Sequence, residues 1–259
     1  MTAAAKYLTP VTLELGGKNP CIVDADTHLE YTARRIVWGK FFNAGQSCVA
    51  VDYLLVDRRI RKRLLDRMVE ILRKCYGPEP FRSPDYCRIV NESHFDRLSG
   101  LLGCGSILTG GRTDRAARYI EPTIIDKITG SEPIMEDEIF GPLLPVIEYD
   151  NLSRALEFVN KRSKPLALYF FSRSKDLQAR VLRETSSGGG CINDTVIHQT
   201  STNLPFGGVG TSGIGKYHGK ASFDTFTHER SIVKSGFLWD TLLRYPPYGN
   251  HLKWLKKFF

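Results

Sequence analysis

The sequence predicts an α/β fold with an open, largely parallel sheet covered by helices, and three observations carry that expectation. Strand-length apolar runs alternate with amphipathic helical stretches along most of the chain. The longest apolar run, Pro165-Leu166-Ala167-Leu168-Tyr169-Phe170-Phe171, is continuous rather than alternating, as suits a strand buried on both faces. The 259 residues, 42% hydrophobic and 25% charged, have the balance of a soluble globular chain with a sizeable core.

The elements follow in order. Pro10 to Leu15 reads as a strand that stops at Gly16-Gly17, and Cys21 to Val23 as a second, stopped by Asp24 and Asp26. Leu29, Ala33, Ile36, Val37 and Phe41 recur at helical spacing on one face, and Asn43-Ala44-Gly45 ends that helix. Tyr53 to Val56 is a strand, and Ile60, Leu64, Met68, Ile71, Leu72 and Cys75 mark a helix closed by Gly77-Pro78. Tyr119 to Ile125 and Leu143 to Tyr149 read as strands, and Leu152, Ala155, Leu156 and Val159 as a helix. Leu166 to Ser172 is a buried strand, Leu177 to Leu182 lies in a helix, and Gly190 to Asn193 begins another strand. Beyond Lys220 the pattern changes, and Phe223 to Val233 reads as one extended segment before a Pro-bearing aromatic tail.

Composition excludes several functions. The six cysteines form no C-x-x-C pair and no His spacing suited to zinc, so no metal site is expected; five are expected to pack as small apolar side chains in a reducing compartment. The formal charge of +8 is spread among alternating acids and bases, which argues against nucleic acid binding. No apolar run reaches membrane-spanning length, and Met1 is followed by no basic-then-apolar leader. The tail, His251 to Phe259, differs: it carries three lysines and three aromatics without an acid.

One cysteine stands apart. Cys48 sits in the turn Gly45-Gln46-Ser47-Cys48 at the end of an amphipathic helix, 34 residues after Glu14 in Leu13-Glu14-Leu15-Gly16-Gly17-Lys18-Asn19-Pro20. A thiol with a carboxylate base suits aldehyde oxidation through a thioester: the thiol adds to the carbonyl, and the carboxylate activates the water that releases the acid. Taken alone, Cys48 fits a core position and Glu14 an outward strand position. With the later runs Glu136-Asp137-Glu138-Ile139-Phe140-Gly141-Pro142 and Leu204-Pro205-Phe206-Gly207-Gly208-Val209, however, the chain resembles the NAD(P)-dependent aldehyde dehydrogenase superfamily. Gly215-Lys216-Tyr217-His218-Gly219-Lys220, Phe223 to His228 and Arg244-Tyr245-Pro246-Pro247 narrow the resemblance to class 3, the branch with fatty-aldehyde and medium-chain enzymes.

That resemblance implies an aldehyde dehydrogenase-like catalytic domain with Cys48 as nucleophile and Glu14 as general base. It places Glu138 on the ribose hydroxyls at the nicotinamide end of NAD or NADP and Phe140 beside the ring. It gives Asn193, Phe206 and Gly45 to the support of the catalytic loop and the substrate pocket. Residues 1–13 then correspond to a remnant of the cofactor-binding domain, 14–216 to the catalytic domain, and 217–259 to an oligomerisation segment and tail of a homodimer. The family's Gly-rich cofactor loop and its oxyanion-hole asparagine are not in this sequence, so the chain reads as the catalytic half of such an enzyme, of low activity alone. Two rival readings stay open: a non-catalytic short isoform that binds the full enzyme, and a cofactor-independent esterase. Lys18 and Asn19 read equally as structural or site-forming. The expected location is cytoplasmic. Leu252, Leu255 and Phe259 on one helical face, flanked by Trp254, Phe258, Lys253, Lys256 and Lys257, read either as packing residues or as a weak contact with an intracellular membrane surface.

Overall fold

In the computed structural model, which describes residues 1–249, 256 and 257, most of the strand runs read from the sequence gather into one sheet. In chain order the elements are α1 (Thr2–Ala5), β1 (Leu13–Glu14), β2 (Pro20–Val23), α2 (Leu29–Phe41), β3 (Tyr53–Asp57), α3 (Arg61–Tyr76), α4 (Glu92–Gly100) and β4 (Ser106–Thr109). They continue with β5 (Thr113–Asp114), β6 (Tyr119–Ile120), β7 (Thr123–Asp126), β8 (Leu143–Tyr149), α5 (Leu152–Asn160), β9 (Ala167–Phe171), α6 (Lys175–Glu184), β10 (Gly189–Ile192), β11 (Gly213–Ile214) and α7 (Gly219–Phe226). Among the described residues, seven strands form a sheet in the order β10-β9-β2-β3-β8-β7-β4. All its pairings are parallel except that of β4 with β7.

Both faces are covered, which explains the uninterrupted apolar strands. Alternate residues divide between two cores, as strand geometry requires. Cys21, Val23, Leu54, Val56, Tyr169 and Phe171 point to the side packed by α2 and α3. Ile22, Tyr53, Leu55, Leu168 and Phe170 point to the other side, with Phe95 and Leu98 of α4, Leu156 and Val159 of α5, and Val181 of α6.

Several sequence expectations are corrected. The strand foreseen over Pro10–Leu15 shrinks to Leu13–Glu14, paired antiparallel with β11. The run from Tyr119 to Ile125 breaks at Pro122, which has no N–H to donate to a ladder: Tyr119–Ile120 joins a hairpin with β5, and Thr123–Asp126 enters the main sheet. The extended segment foreseen from Phe223 begins instead as α7, where Lys220 pairs with Asp224 one turn later; residues 227–233 have no regular structure. Cys75 and Cys87 are exposed rather than packed inside. The sequence reading missed α4 and β4.

The chain divides into two compact units, Met1–Phe226 and Thr227–Phe259. Within the second, Leu242–Arg244 makes a single tight turn, and the Tyr245 hydroxyl donates to Asp240 at 2.6 Å. The helical-face reading of the tail rests on Leu252 to Leu255, Phe258 and Phe259, which lie outside the described residues. Among the described residues no helix is long and apolar enough to cross a membrane.

Asn19, only 1% exposed, ties this sheet together just before β2. Its side-chain amide donates to the carbonyls of Cys48 (2.7 Å) and Ala50 (3.0 Å), while its side-chain oxygen accepts the Ala167 N–H at the start of β9 (2.8 Å). Its backbone carbonyl accepts from Asp52 at 2.9 Å, at the start of β3. Asn19→Ala would strand these buried groups, and a loss of roughly 2–4 kcal/mol is expected. Urea unfolding of the variant checks this; a loss within 0.5 kcal/mol, about the error of a surface change, contradicts it.

Candidate active site

The sequence-predicted residues converge because four loops enter the sheet side by side. Residues 14–19 lead into β2, 42–52 into β3, 136–142 into β8 and 165–166 into β9, and β8, β3, β2 and β9 are neighbours. The site therefore lies at the amino-terminal edge of these parallel strands, opposite to the carboxyl-edge crevice usual in open α/β sheets.

The Cys48 turn is built from strained backbone. Asn43, Ala44 and Gly45 all take left-handed conformations, with φ of 50°, 52° and 71°. Only the last is at ease there, and non-glycine residues in that region cost on the order of 1–3 kcal/mol each. Gly45 is further required because a Cβ would collide with the Gly141 carbonyl, so the Cys48 turn and the loop carrying Glu138 touch backbone to backbone. Gln46 holds the strained turn: its amide donates to Asn43 (3.1 Å) and Arg88 (3.0 Å), and its oxygen accepts from Val90 (2.9 Å). The Cys48 carbonyl is pinned by Asn19, and the half-buried Cys48 side chain packs against the core on the α2 side while lying within reach of the Glu14 charge.

Glu14 is exposed at the end of β1, beside that thiol. Burial pushes the Cys48 thiol up to about 12, and the charge of Glu14, a hydrogen bond to its carboxylate and the charge of Glu138 add to the effect. Of the two ways to activate a thiol, a lowered pKa or an adjacent base, the geometry provides the second.

Glu138 reaches back over the Gly16-Gly17 turn. A Cβ on Gly16 would occupy the place of its carboxylate, and the Gly17 N–H donates to it. Burial, and next the charge of Asp52, raise the Glu138 carboxyl to about 7, against the opposing pull of the Gly17 hydrogen bond and of Lys40 and Lys18. The loop itself is held by Lys18, whose ammonium donates to Asp52 (2.5 Å) and to the carbonyls of Ile134 (2.9 Å) and Asp137 (2.8 Å). Asp52 in turn accepts the Ile139 N–H at 2.9 Å. Phe140 follows with φ of 48°, another strained residue, and stays half-exposed. A hydroxyl-accepting carboxylate cradled over a glycine, with an aromatic face two residues on, fits the ribose and ring of a nicotinamide nucleotide.

Phe206 is buried in the core that Cys48 packs against; it forms a mutual backbone bridge with Tyr217 and stacks on His218 at 5.0 Å. Tyr217 itself was not singled out, yet its phenol is raised first by burial and then by the charges of Glu14 and Cys48, which places it at the site. Asn193 is not brought to Cys48. It follows β10 at the opposite end of the sheet, with φ of 58°, and clasps Ser172 by two hydrogen bonds of 2.9 and 3.0 Å. Asn19, Asp52 and Lys40 are the other residues the sequence reading left without a clear site role; the signal for Lys40 is a lysine on the apolar stripe Ala33, Ile36, Val37.

Comparison with known proteins bears on what this arrangement is. Residues 1–232 match the model of the aldehyde dehydrogenase family. The chain belongs to the aldehyde dehydrogenase family. It is 51% identical to rat aldehyde dehydrogenase family 3 member B1 over 96% of the chain and 54% of that relative, and so spans about half the length of the curated relatives it matches. It is 48% identical, over 99% of the chain, to 4,4'-diaponeurosporen-aldehyde dehydrogenase of Staphylococcus aureus, of which it covers 56%. The solved substrate-bound state of Staphylococcus aureus AldH superposes with a TM-score of 0.97 at 47% identity, over all of this chain and 57% of that one.

The raised thiol has a direct consequence for reactivity. Iodoacetamide should alkylate Cys48 at a rate that keeps rising with pH through 10, instead of levelling near the ~8.5 of a free thiol. Removing the neighbouring negative charge lowers the thiol pKa, so Glu14→Gln should move the profile down and speed alkylation at pH 8 severalfold. Site-resolved mass spectrometry checks this, and a profile that levels near 8.5, or one that Glu14→Gln moves upward, contradicts it.

Proposed function

We propose that this aldehyde dehydrogenase family chain carries the catalytic machinery for oxidising aldehydes to carboxylic acids with NAD or NADP, residues 14–216 forming the catalytic domain. The observation that carries this reading is the half-buried Cys48 thiol, its proton held tightly, beside the Glu14 carboxylate. The Cys48 sulfur bonds to the aldehyde carbon as its proton passes to Glu14, and the Cys48 backbone N–H helps hold the developing oxyanion. A bound nicotinamide would supply the acceptor for the hydride that leaves the aldehyde carbon. Once Glu14 has released the thiol's proton to solvent it takes a proton from water, the water oxygen bonds to the thioester carbon, the carbon–sulfur bond breaks, and the sulfur recovers a proton from Glu14 as the acid leaves. Glu138 would hold the cofactor by accepting from its ribose hydroxyls, a charge-assisted bond when the carboxyl is ionised, and Phe140 would line the ring.

The two dehydrogenases among the relatives support an aldehyde substrate. Within that class we favour medium- or long-chain aliphatic and aromatic aldehydes, a homodimer, and a cytoplasmic location with the basic tail as a weak membrane-surface contact. Ester hydrolysis without a cofactor is the second reading, favoured by the fact that the Cys48–Glu14 pair lies wholly within this chain.

An activated ester tests the pair without any cofactor. With p-nitrophenyl octanoate, Cys48 should carry the octanoyl group, and Glu14→Gln should slow its release by about 10²-fold or more. Mass spectrometry of quenched samples follows both. Acylation elsewhere, or unchanged release in Glu14→Gln, would count against the assigned roles; octanal oxidation with NAD then separates dehydrogenase from esterase.

A further inference from the structure

The end strand of the sheet carries a second thiol with a base in contact. Cys191, half-buried in β10, faces the same side as Tyr169, its register partner in β9. After β10 the buried Val196 takes φ of 62°, a conformation that a β-branched residue rarely adopts, and the chain turns back. His198, in the tight turn Ile197–Thr200, is thereby laid over the strand, where a Cβ on Gly189 would come 3.0 Å from its ring. Its Nδ1 lies 3.5 Å from the Cys191 sulfur. The Tyr169 and Phe206 rings each lie 6.0 Å from the imidazole, centroid to centroid. Packing alone does not ask for this pair. The imidazole Nε2 is buried with no hydrogen-bond partner among the described residues, a cost that a leucine or phenylalanine would not bear. The titratable groups around the pair are engaged elsewhere: Asp194 pairs with Arg35 at 3.5 Å, and the Tyr169 phenol donates to the Val49 carbonyl at 2.6 Å.

We propose that Cys191 and His198 form a second nucleophilic site, one that α,β-unsaturated aldehydes modify covalently, with His198 drawing off the thiol proton as the sulfur adds to the conjugated double bond. The sulfur bonds to the β-carbon, the double-bond electrons shift toward the carbonyl oxygen, and the imidazolium returns the proton to the α-carbon. Nothing is oxidised, and the adduct keeps its aldehyde. The Tyr169 and Phe206 rings offer an apolar wall for the hydrocarbon chain, and among the described residues β10 has a neighbouring strand on one side only. Burial lowers the imidazole from its ordinary value of 6.5. Burial also raises the Cys191 thiol, opposed by a hydrogen bond from the His198 backbone and aided by the charge of Asp194. At neutral pH the pair is therefore an uncharged thiol beside an uncharged base. Only the choice of electrophile rests on the proposed aldehyde class; the step itself does not use Cys48.

Treatment of the full chain carrying Cys48→Ser with trans-2-octenal, followed by borohydride quenching and site-resolved mass spectrometry, tests this. Cys191 should take a stable adduct, and octanal, which lacks the conjugated double bond, should leave none. The rate at Cys191 should be level between about pH 7 and 8, because the neutral imidazole already serves as base, whereas an unassisted thiol below its pKa gains about tenfold per pH unit. His198→Gln should slow the reaction at pH 7 by on the order of 10²-fold and restore that slope. An unmodified Cys191, a tenfold rise from pH 7 to 8 with His198 in place, or a rate in folded His198→Gln equal to that with His198 in place overturns the inference, the first two without altering His198. Because the assay uses neither Cys48 nor a cofactor, a chain that fails to oxidise aldehydes leaves a reactive Cys191 standing, and an unreactive Cys191 leaves the aldehyde dehydrogenase reading intact.

Discussion

The Asn19 side chain is the constraint on which the site depends. One carboxamide joins the Cys48 turn to the start of β9, while the backbone of the same residue receives the start of β3. Its neighbour Lys18 fixes the loop that carries Glu138, and the glycines just before it, Gly16 and Gly17, receive that glutamate. Glu14 lies two residues further back. A single six-residue stretch therefore sets the positions of Cys48, Glu14 and Glu138. An apolar side chain at 19 would leave two carbonyls and an amide buried without partners, which is why an amide, with both donors and an acceptor, is suited to that place.

Around this clamp the structure accepts costs that an idealised fold would avoid. Three left-handed residues in succession, a fourth at Phe140 and a half-buried carboxyl near neutrality lie within the four loops, and a fully buried lysine stands in the last turn of α2 that leads into one of them. Such concentration is the physical mark of a functional site, because strain and desolvation persist only where surrounding contacts over-determine them. The stabilisation comes from the two apolar layers on either side of β2, β3, β8 and β9, whose strands are buried almost throughout.

Much of this was legible in the sequence, and the exceptions have identifiable causes. The helices α2 and α3 and the buried strands were readable because their apolar spacing is dense. Helix α4 buries only Phe95 and Leu98, too few to mark a period. Strand β4 is exposed along most of its length and pairs antiparallel at the sheet edge, so it carries no buried run. Pro122 divided a run that composition alone presents as one strand. The roles of Cys48, Glu14 and Glu138 came from their motifs, but their convergence at the amino-terminal strand edge is a property of topology. The same topology carries Asn193 to the far end, beside Ser172, although its sequence neighbourhood gave no hint of that. Lys40 was hidden by its setting, a charge on a stripe read as apolar.

Hydrogen exchange resolved by segment in Asn19→Ala tests the clamp most directly. The account requires that residues 47–52 and the amide of Ala167 lose protection together, while β8 and the middle of β3 keep theirs. Protection of residues 47–52 equal to that of the parent chain would show that the Cys48 turn is held by something other than Asn19.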